Sequence, residues 1–219
     1  MLKTWREHGA PGGLASDPLS GHECGDSRYL AIAFFDTCLA QRLPAPGSPT
    51  PTLQPVNSQL AWLAAPGTHT AQPAGEFIGN PADASWLPSA AFAKVWASYN
   101  ETGHPADNTP PPAPTNVRLS ATGDLTWTAE ADLESGLGGF LIERDGQELA
   151  RLPQKPVGKL GTPLFQGLSG GDTPILAMPP MRFHDPGAPP GEPHRYAVRS
   201  LNAVGLASTA SPAVITPQR

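Results

Sequence analysis

Apolar positions along this chain follow two periods: helical over residues 29–43 and 88–100, then alternating from Val117 onward. The clearest helix signal is Tyr29 to Leu43, with apolar side chains at Leu30, Phe34, Phe35, Cys38, Leu39 and Leu43. Asp26 or Ser27 can cap it, and Pro44 stops it. Ala31 and Ile32 widen its apolar face, so this helix is expected to be covered by a larger body. A second helix is expected from Pro88 to about Asn100. Its stripe is Ala91, Phe92, Val95, Trp96 and Tyr99, and Gly103 is a natural stop. Residues 44–85 read as irregular, broken by Pro44, Pro46, Pro49, Pro51 and Pro55, with a helical turn near Leu60–Leu63 that anchors Trp62.

The run Asn108-Thr-Pro-Pro-Pro-Ala-Pro114 has polyproline II stiffness and marks a boundary. Beyond it, Val117 and Leu119 alternate, then Leu125 and Trp127, then Phe140 and Ile142 before the turn Asp145-Gly146. Leu149 and Leu152 suit a return strand, a further strand is expected near Arg182–Asp185, and Tyr196, Val198 and Ala213–Ile215 supply later ones. Short strands separated by turn signals predict an antiparallel β-sandwich. The expected organisation is therefore residues 1–107, a linker at 108–114, and a sandwich over 115–219 with a long insert at 153–180.

Composition adds limits. The 28 prolines and 23 glycines among 219 residues indicate loop-rich globular structure. A net charge of −5 gives no general attraction to nucleic acid or anionic lipid. No apolar run is long enough to span a membrane. The first residues, Met-Leu-Lys-Thr-Trp-Arg-Glu-His, lack the apolar core of a signal peptide. Cys24 and Cys38 are the only cysteines. A continuous helix sets them about 15–20 Å apart, too far to bridge, so Cys38 is expected to be free.

The second half resembles fibronectin type III domains. The resemblance rests on Pro112-Ala-Pro-Thr-Asn-Val117, Leu125-Thr-Trp127, Gly139–Gly146 and above all Tyr196-Ala-Val-Arg-Ser-Leu-Asn-Ala-Val-Gly205, with Leu201 at the family's usual alanine. It implies that Trp127 packs between the sheets and that the Tyr196 hydroxyl bonds back to backbone. Residues 1–100 resemble the C-terminal part of α/β-hydrolases, particularly exported bacterial ones that carry a fibronectin-like domain. The stretch Pro18-Leu-Ser-Gly-His-Glu-Cys-Gly-Asp-Ser-Arg28 follows a possible strand at Gly13–Ser16 and precedes the capped helix. Such hydrolases present their triad histidine in this way, so the resemblance makes His22 the general base. A polar loop histidine bonding locally is the alternative. The implied fold class is mixed: a small, mostly α hydrolase remnant followed by an all-β sandwich.

The nucleophile and acid would have to lie upstream, where only 21 residues precede His22. Gly167-Leu-Ser-Gly-Gly171 matches Gly-x-Ser-x-Gly literally, but it follows the histidine and has no strand before it, so it is set aside. The expected function is an inactive C-terminal piece of an exported serine hydrolase with an accessory module, located outside the cytoplasm if the longer protein has a signal peptide. Its partner would be the upstream hydrolase region. The alternative is a stand-alone adhesion module for polysaccharide or cell-surface protein. No cofactor or metal is expected. His8, His69, His104, His184 and His194 lack ligand spacing. Glu130, Asp132 and Glu134, with Asp172 or Asp185, could offer oxygens to Ca²⁺ but suit a solvated loop better. Asn100-Glu-Thr102 fits the glycosylation triplet, and Trp62, Trp86 and Trp96 suit either a sugar-stacking surface or a core. The insert, with Leu164, Phe165, Leu168, Ile175 and Met178, is expected to pack over the protein rather than to bind ligand.

Overall fold

The computed structural model describes residues 2–19, 25–48, 52–154, 180–187 and 192–215. The chain divides into two compact units, Met1–Ala106 and Asp107–Arg219.

In the first unit, α1 (Leu2–Glu7) leads into an extended strap, and α2 spans Ser27–Arg42. Three short strands follow, β1 (Trp62–Ala64), β2 (Gln72–Pro73) and β3 (Ser85–Leu87), before α3 (Ala90–Thr102). The strands make one antiparallel sheet in the order β2-β1-β3. Helix α3 begins where Ser89 Oγ accepts the Phe92 N–H at 3.1 Å, and ends at Gly103, whose φ of 76° lies in the left-handed region. Phe34 of α2 meets Phe92 and Trp86 edge to face, with centroids 5.4 and 6.3 Å apart, and so joins α2 to the core of this unit.

The strap is held by side chains far along the chain. Arg6 donates to the carbonyls of Ala10, Ala84 and Pro81. Ser85 Oγ accepts the Leu14 N–H, and the Trp96 indole donates to the Leu14 carbonyl at 2.8 Å. Asn100 accepts the Ser16 N–H at 2.8 Å. Gly13–Ser16, expected as a strand, is this bonded strap instead.

The expected mixed fold, with a mostly helical α/β-hydrolase remnant over residues 1–107, is not what the structure shows. Among the described residues strand outweighs helix, 26% against 21%, and there are three short α-helices. Every strand pairing among the described residues is antiparallel, whereas a hydrolase sheet needs parallel strands with crossover helices. Strands of two or three residues, one containing Pro73, were hidden in the proline-rich stretch that reads as irregular.

The second unit contains β4 (Thr115–Leu119), β5 (Asp124–Thr128), β6 (Leu137–Arg144), β7 (Gln147–Leu152), β8 (Arg182–His184), β9 (Arg195–Asn202) and β10 (Val214–Ile215). They form two antiparallel sheets, β10-β9-β6-β7 and β4-β5-β8. Leu125 and Trp127 from one sheet and Phe140, Ile142, Tyr196 and Val198 from the other bury into a single core. Val117 and Leu119 pack partly buried against it. The β6–β7 hairpin turns at Asp145 (φ 54°) and Gly146 (φ 78°), the two positive values a tight two-residue hairpin requires. Gly139 is obligatory for a different reason: a Cβ there would lie 2.1 Å from the Leu152 carbonyl oxygen.

Candidate functional site

Among the described residues of the first unit, an apolar cavity of about 340 Å³ lies between the strap at Gly12–Ala15, α2 and the start of α3. Its floor is aromatic: Phe34, Trp86, Phe92 and Trp96, with Phe35 at the edge. The apolar positions of α2 explain the shape. Leu30 is buried, and Phe34 and Cys38 are partly buried against the core clusters, whereas Phe35, Leu39 and Leu43 are 59%, 49% and 53% exposed. The wide face expected of this helix is thus two ridges, one turned inward and one outward.

Ser27 stands in the cavity lining, at the start of α2. Beside it is a polar cluster that links the start of α2 to the end of α3. The left-handed turn at Gly103 carries His104 to Asp26, with Nδ1 to Oδ2 at 2.5 Å. A side chain at Gly103 would collide with Leu19, whose Cγ lies 2.7 Å from the Cβ position. One turn earlier, the Tyr99 hydroxyl donates to Asp17 at 3.0 Å. Burial, then the hydrogen bond and charge of Asp17, push the Tyr99 phenol well above its ordinary range, so it stays protonated and donating. A carboxylate on one imidazole nitrogen is the geometry that orients a general base. Among the described residues, however, no hydroxyl or thiol is bonded to the His104 ring; the cluster ties helix ends together and does not itself assemble a nucleophile.

The residues singled out from sequence fall as follows. His22 lies outside the described residues, as do Cys24, Ser169 in Gly167–Gly171, Asp172 and most of the 153–180 insert. Cys38 is a free thiol, and burial raises its pKa despite the opposing charge of Arg42. Asp185 stands apart from the acidic loop: it accepts from Tyr196, Arg144 and the Gly187 N–H. Among the described residues, no three His, Cys, Asp or Glu side chains are arranged to hold a metal ion. Trp86 and Trp96 are core residues, 6% and 4% exposed, which rules them out as a sugar-stacking surface. Asn100 is buried at the end of α3, its amide donating to the Trp96 carbonyl and its oxygen holding Ser16, so it is no glycan acceptor in this fold.

Two findings were not anticipated. Tyr196, expected to bond to backbone, donates instead to the Asp185 carboxylate at 2.8 Å, and Arg144 bonds the same oxygen at 2.7 Å. Burial, followed by Asp185, pushes the Tyr196 phenol up to about 12. Burial also works against the Asp185 charge, but the bonds from Tyr196, Gly187 and Arg144 outweigh it and leave that pKa lowered. The Asp26–His104 pair was also missed, because its partners are 78 residues apart.

No protein-family model matches the chain, and no curated protein matches it. Solved structures with partial likeness include a family 28 exopolygalacturonase of Yersinia enterocolitica (16% identity, 49% of this chain and 21% of that one, TM-score 0.33). Others are chitinase ChiA74 from Bacillus thuringiensis (13%, 58% and 17%, TM-score 0.34) and the Clostridium perfringens spore cortex lytic enzyme SleM (17%, 78% and 43%, TM-score 0.31). The chain spans less than half the length of each, and TM-scores this low transfer neither fold nor activity.

Proposed function

We propose that this chain is a non-catalytic accessory piece of an exported hydrolytic protein, its Asp107–Arg219 unit serving as a binding or spacing module of the fibronectin type III kind. The observation that carries this reading is the sheet order β10-β9-β6-β7 against β4-β5-β8, with Trp127 and Tyr196 in the shared core. It agrees with the residues on which the family resemblance rests. Architecture alone does not name a ligand. Polysaccharide or a cell-surface protein is the class of partner such a module would serve.

Membership of a larger protein, as opposed to a stand-alone adhesion module, is favoured by the outward ridge of α2. Phe35, Leu39 and Leu43 are the kind of apolar patch that a self-sufficient surface avoids. The hydrolase region of the same protein is the partner this reading requires. The test is co-sedimentation of the chain with insoluble chitin, cellulose and peptidoglycan, run beside a chromogenic ester assay. Retention on one polymer with no ester turnover is the expected result. Ester turnover that disappears in His22→Ala would overturn the non-catalytic reading.

A further inference from the structure

We propose that the cavity between the strap, α2 and the start of α3 is a binding site for a small, uncharged, bicyclic aromatic molecule. This inference stands independently of the reading of the Asp107–Arg219 unit. Size sets the first limit. Roughly 150 Å³ holds one benzene ring. The cavity, at about 340 Å³, therefore has room for two fused rings. A space that large is not a packing fault, because close-packed interiors leave few gaps bigger than a water molecule. Its floor of Trp86, Phe92 and Trp96 is buried in the core of this unit, whereas Leu14 and Phe35 in the lining are exposed, so the cavity opens to solvent on their side.

No lining side chain carries a charge. An ionised ligand would give up its water there with no partner to replace it, so the guest is neutral. The rings favour a flat aromatic guest: Phe34 meets Trp86 and Phe92 edge to face, an arrangement that a further ring extends. The walls are held before any ligand arrives. The Trp96 indole is fixed by the Leu14 carbonyl, and Ser85 and Asn100 accept the Leu14 and Ser16 N–H groups. The Gly12 carbonyl accepts the Trp86 N–H at 3.0 Å. Bonding along the strap thus falls on Gly12, Leu14 and Ser16. The intervening Gly13 and Ala15 also line the cavity, and their N–H and C=O groups make no hydrogen bond among the described residues. These backbone groups are the partners for one polar group on the guest, such as a ring N–H or a hydroxyl.

The experiment titrates the full chain with indole and follows the backbone amides by NMR. Saturable shifts of the Gly13 and Ala15 amides, with one molecule bound per chain, are the expected result. Two comparison probes test the ligand class. Indole-3-acetate keeps the rings and adds a carboxylate, and hexanol keeps a polar end on a flexible apolar chain. Each is expected to bind at least about tenfold more weakly than indole. Shifts that do not saturate, or that fall outside the cavity, overturn the proposal. So does either comparison probe binding as tightly as indole. Ala31 lines the cavity from α2 and is only partly buried, so Ala31→Phe sets a ring where the guest would sit. That variant is expected to lose most of its indole affinity, and a folded variant that binds as wild type does overturns the site. The comparison of the three probes uses the wild-type chain, so it decides the matter even where the variant fails to fold.

Discussion

Trp127 offers the sharpest test of the sandwich core. It is 4% exposed and meets Phe140 edge to face, with ring centroids 5.1 Å apart. Truncating such a ring to alanine removes its transfer free energy and leaves a cavity, a loss of about 3–5 kcal/mol. One feature shifts that figure down: the indole Nε1 is buried with no hydrogen-bond partner. An unsatisfied donor already costs the native state about 1–3 kcal/mol, and alanine removes that penalty along with the ring. The expected cost of Trp127→Ala is therefore near the lower end, about 3 kcal/mol. Trp127→Phe keeps an aromatic ring against Phe140 while deleting the orphan N–H, so its cost should be about 1 kcal/mol or less. Urea unfolding of the full chain, followed through the transition of the sandwich unit, checks both. With m near 1–3 kcal/mol/M, the alanine variant should lower the midpoint by about 1–3 M with an unchanged slope. A cost below about 1 kcal/mol for alanine would refute the packing argument. A phenylalanine variant as damaging as alanine would show that the N–H has a partner after all.

Tyr196→Phe removes one donor from Asp185 and should cost about 1.5–3 kcal/mol in urea unfolding, the range for a hydrogen bond to a charged group. Because the folded Asp185 pKa is lowered, its stabilisation is present above the unfolded value and lost as pH falls through the folded one; the variant should show a shallower acid-side decline. Gly139→Ala places a methyl 2.1 Å from a backbone oxygen and should open the β6–β7 pairing, seen as lost hydrogen-exchange protection along both strands. Ser89→Ala should cost about 1 kcal/mol and speed exchange of the Phe92 amide, the one Ser89 caps. Cys38 should alkylate more slowly at neutral pH than a free thiol, because burial raises its pKa.

The second unit was legible where strands are long enough to alternate. Leu125/Trp127 and Phe140/Ile142 point inward because one face of each strand is buried and the other is not. In the first unit the rule failed. Ser85, Trp86 and Leu87 are all buried, so β3 has no polar face to reveal a period of two, and β2 is too short to show one. Helix α2 was read correctly in extent but not in orientation, since spacing cannot say which of two apolar ridges finds a core. The polar cluster was illegible because fold topology, not local spacing, brings Asp26 to His104 and Asp17 to Tyr99. Only Gly103 hinted at it, as a helix stop that also turns the chain.

The strap before α2 bears on the order in which the first unit folds. Its bonds to Ser85, Trp96 and Asn100 span sequence separations of 71, 82 and 84 residues. Such contacts form only after a long loop has closed, and they return nothing until β3 and α3 are in place to receive them. The strap is therefore expected to be the last segment of this unit to lock and the first to open. Its opening would strand the Trp96 indole N–H and the Asn100 side-chain oxygen without their partners, at about 1–3 kcal/mol for each buried group left unpaired. Limited proteolysis of the native chain should accordingly cut within Ala10–Asp17 before it cuts either α2 or α3.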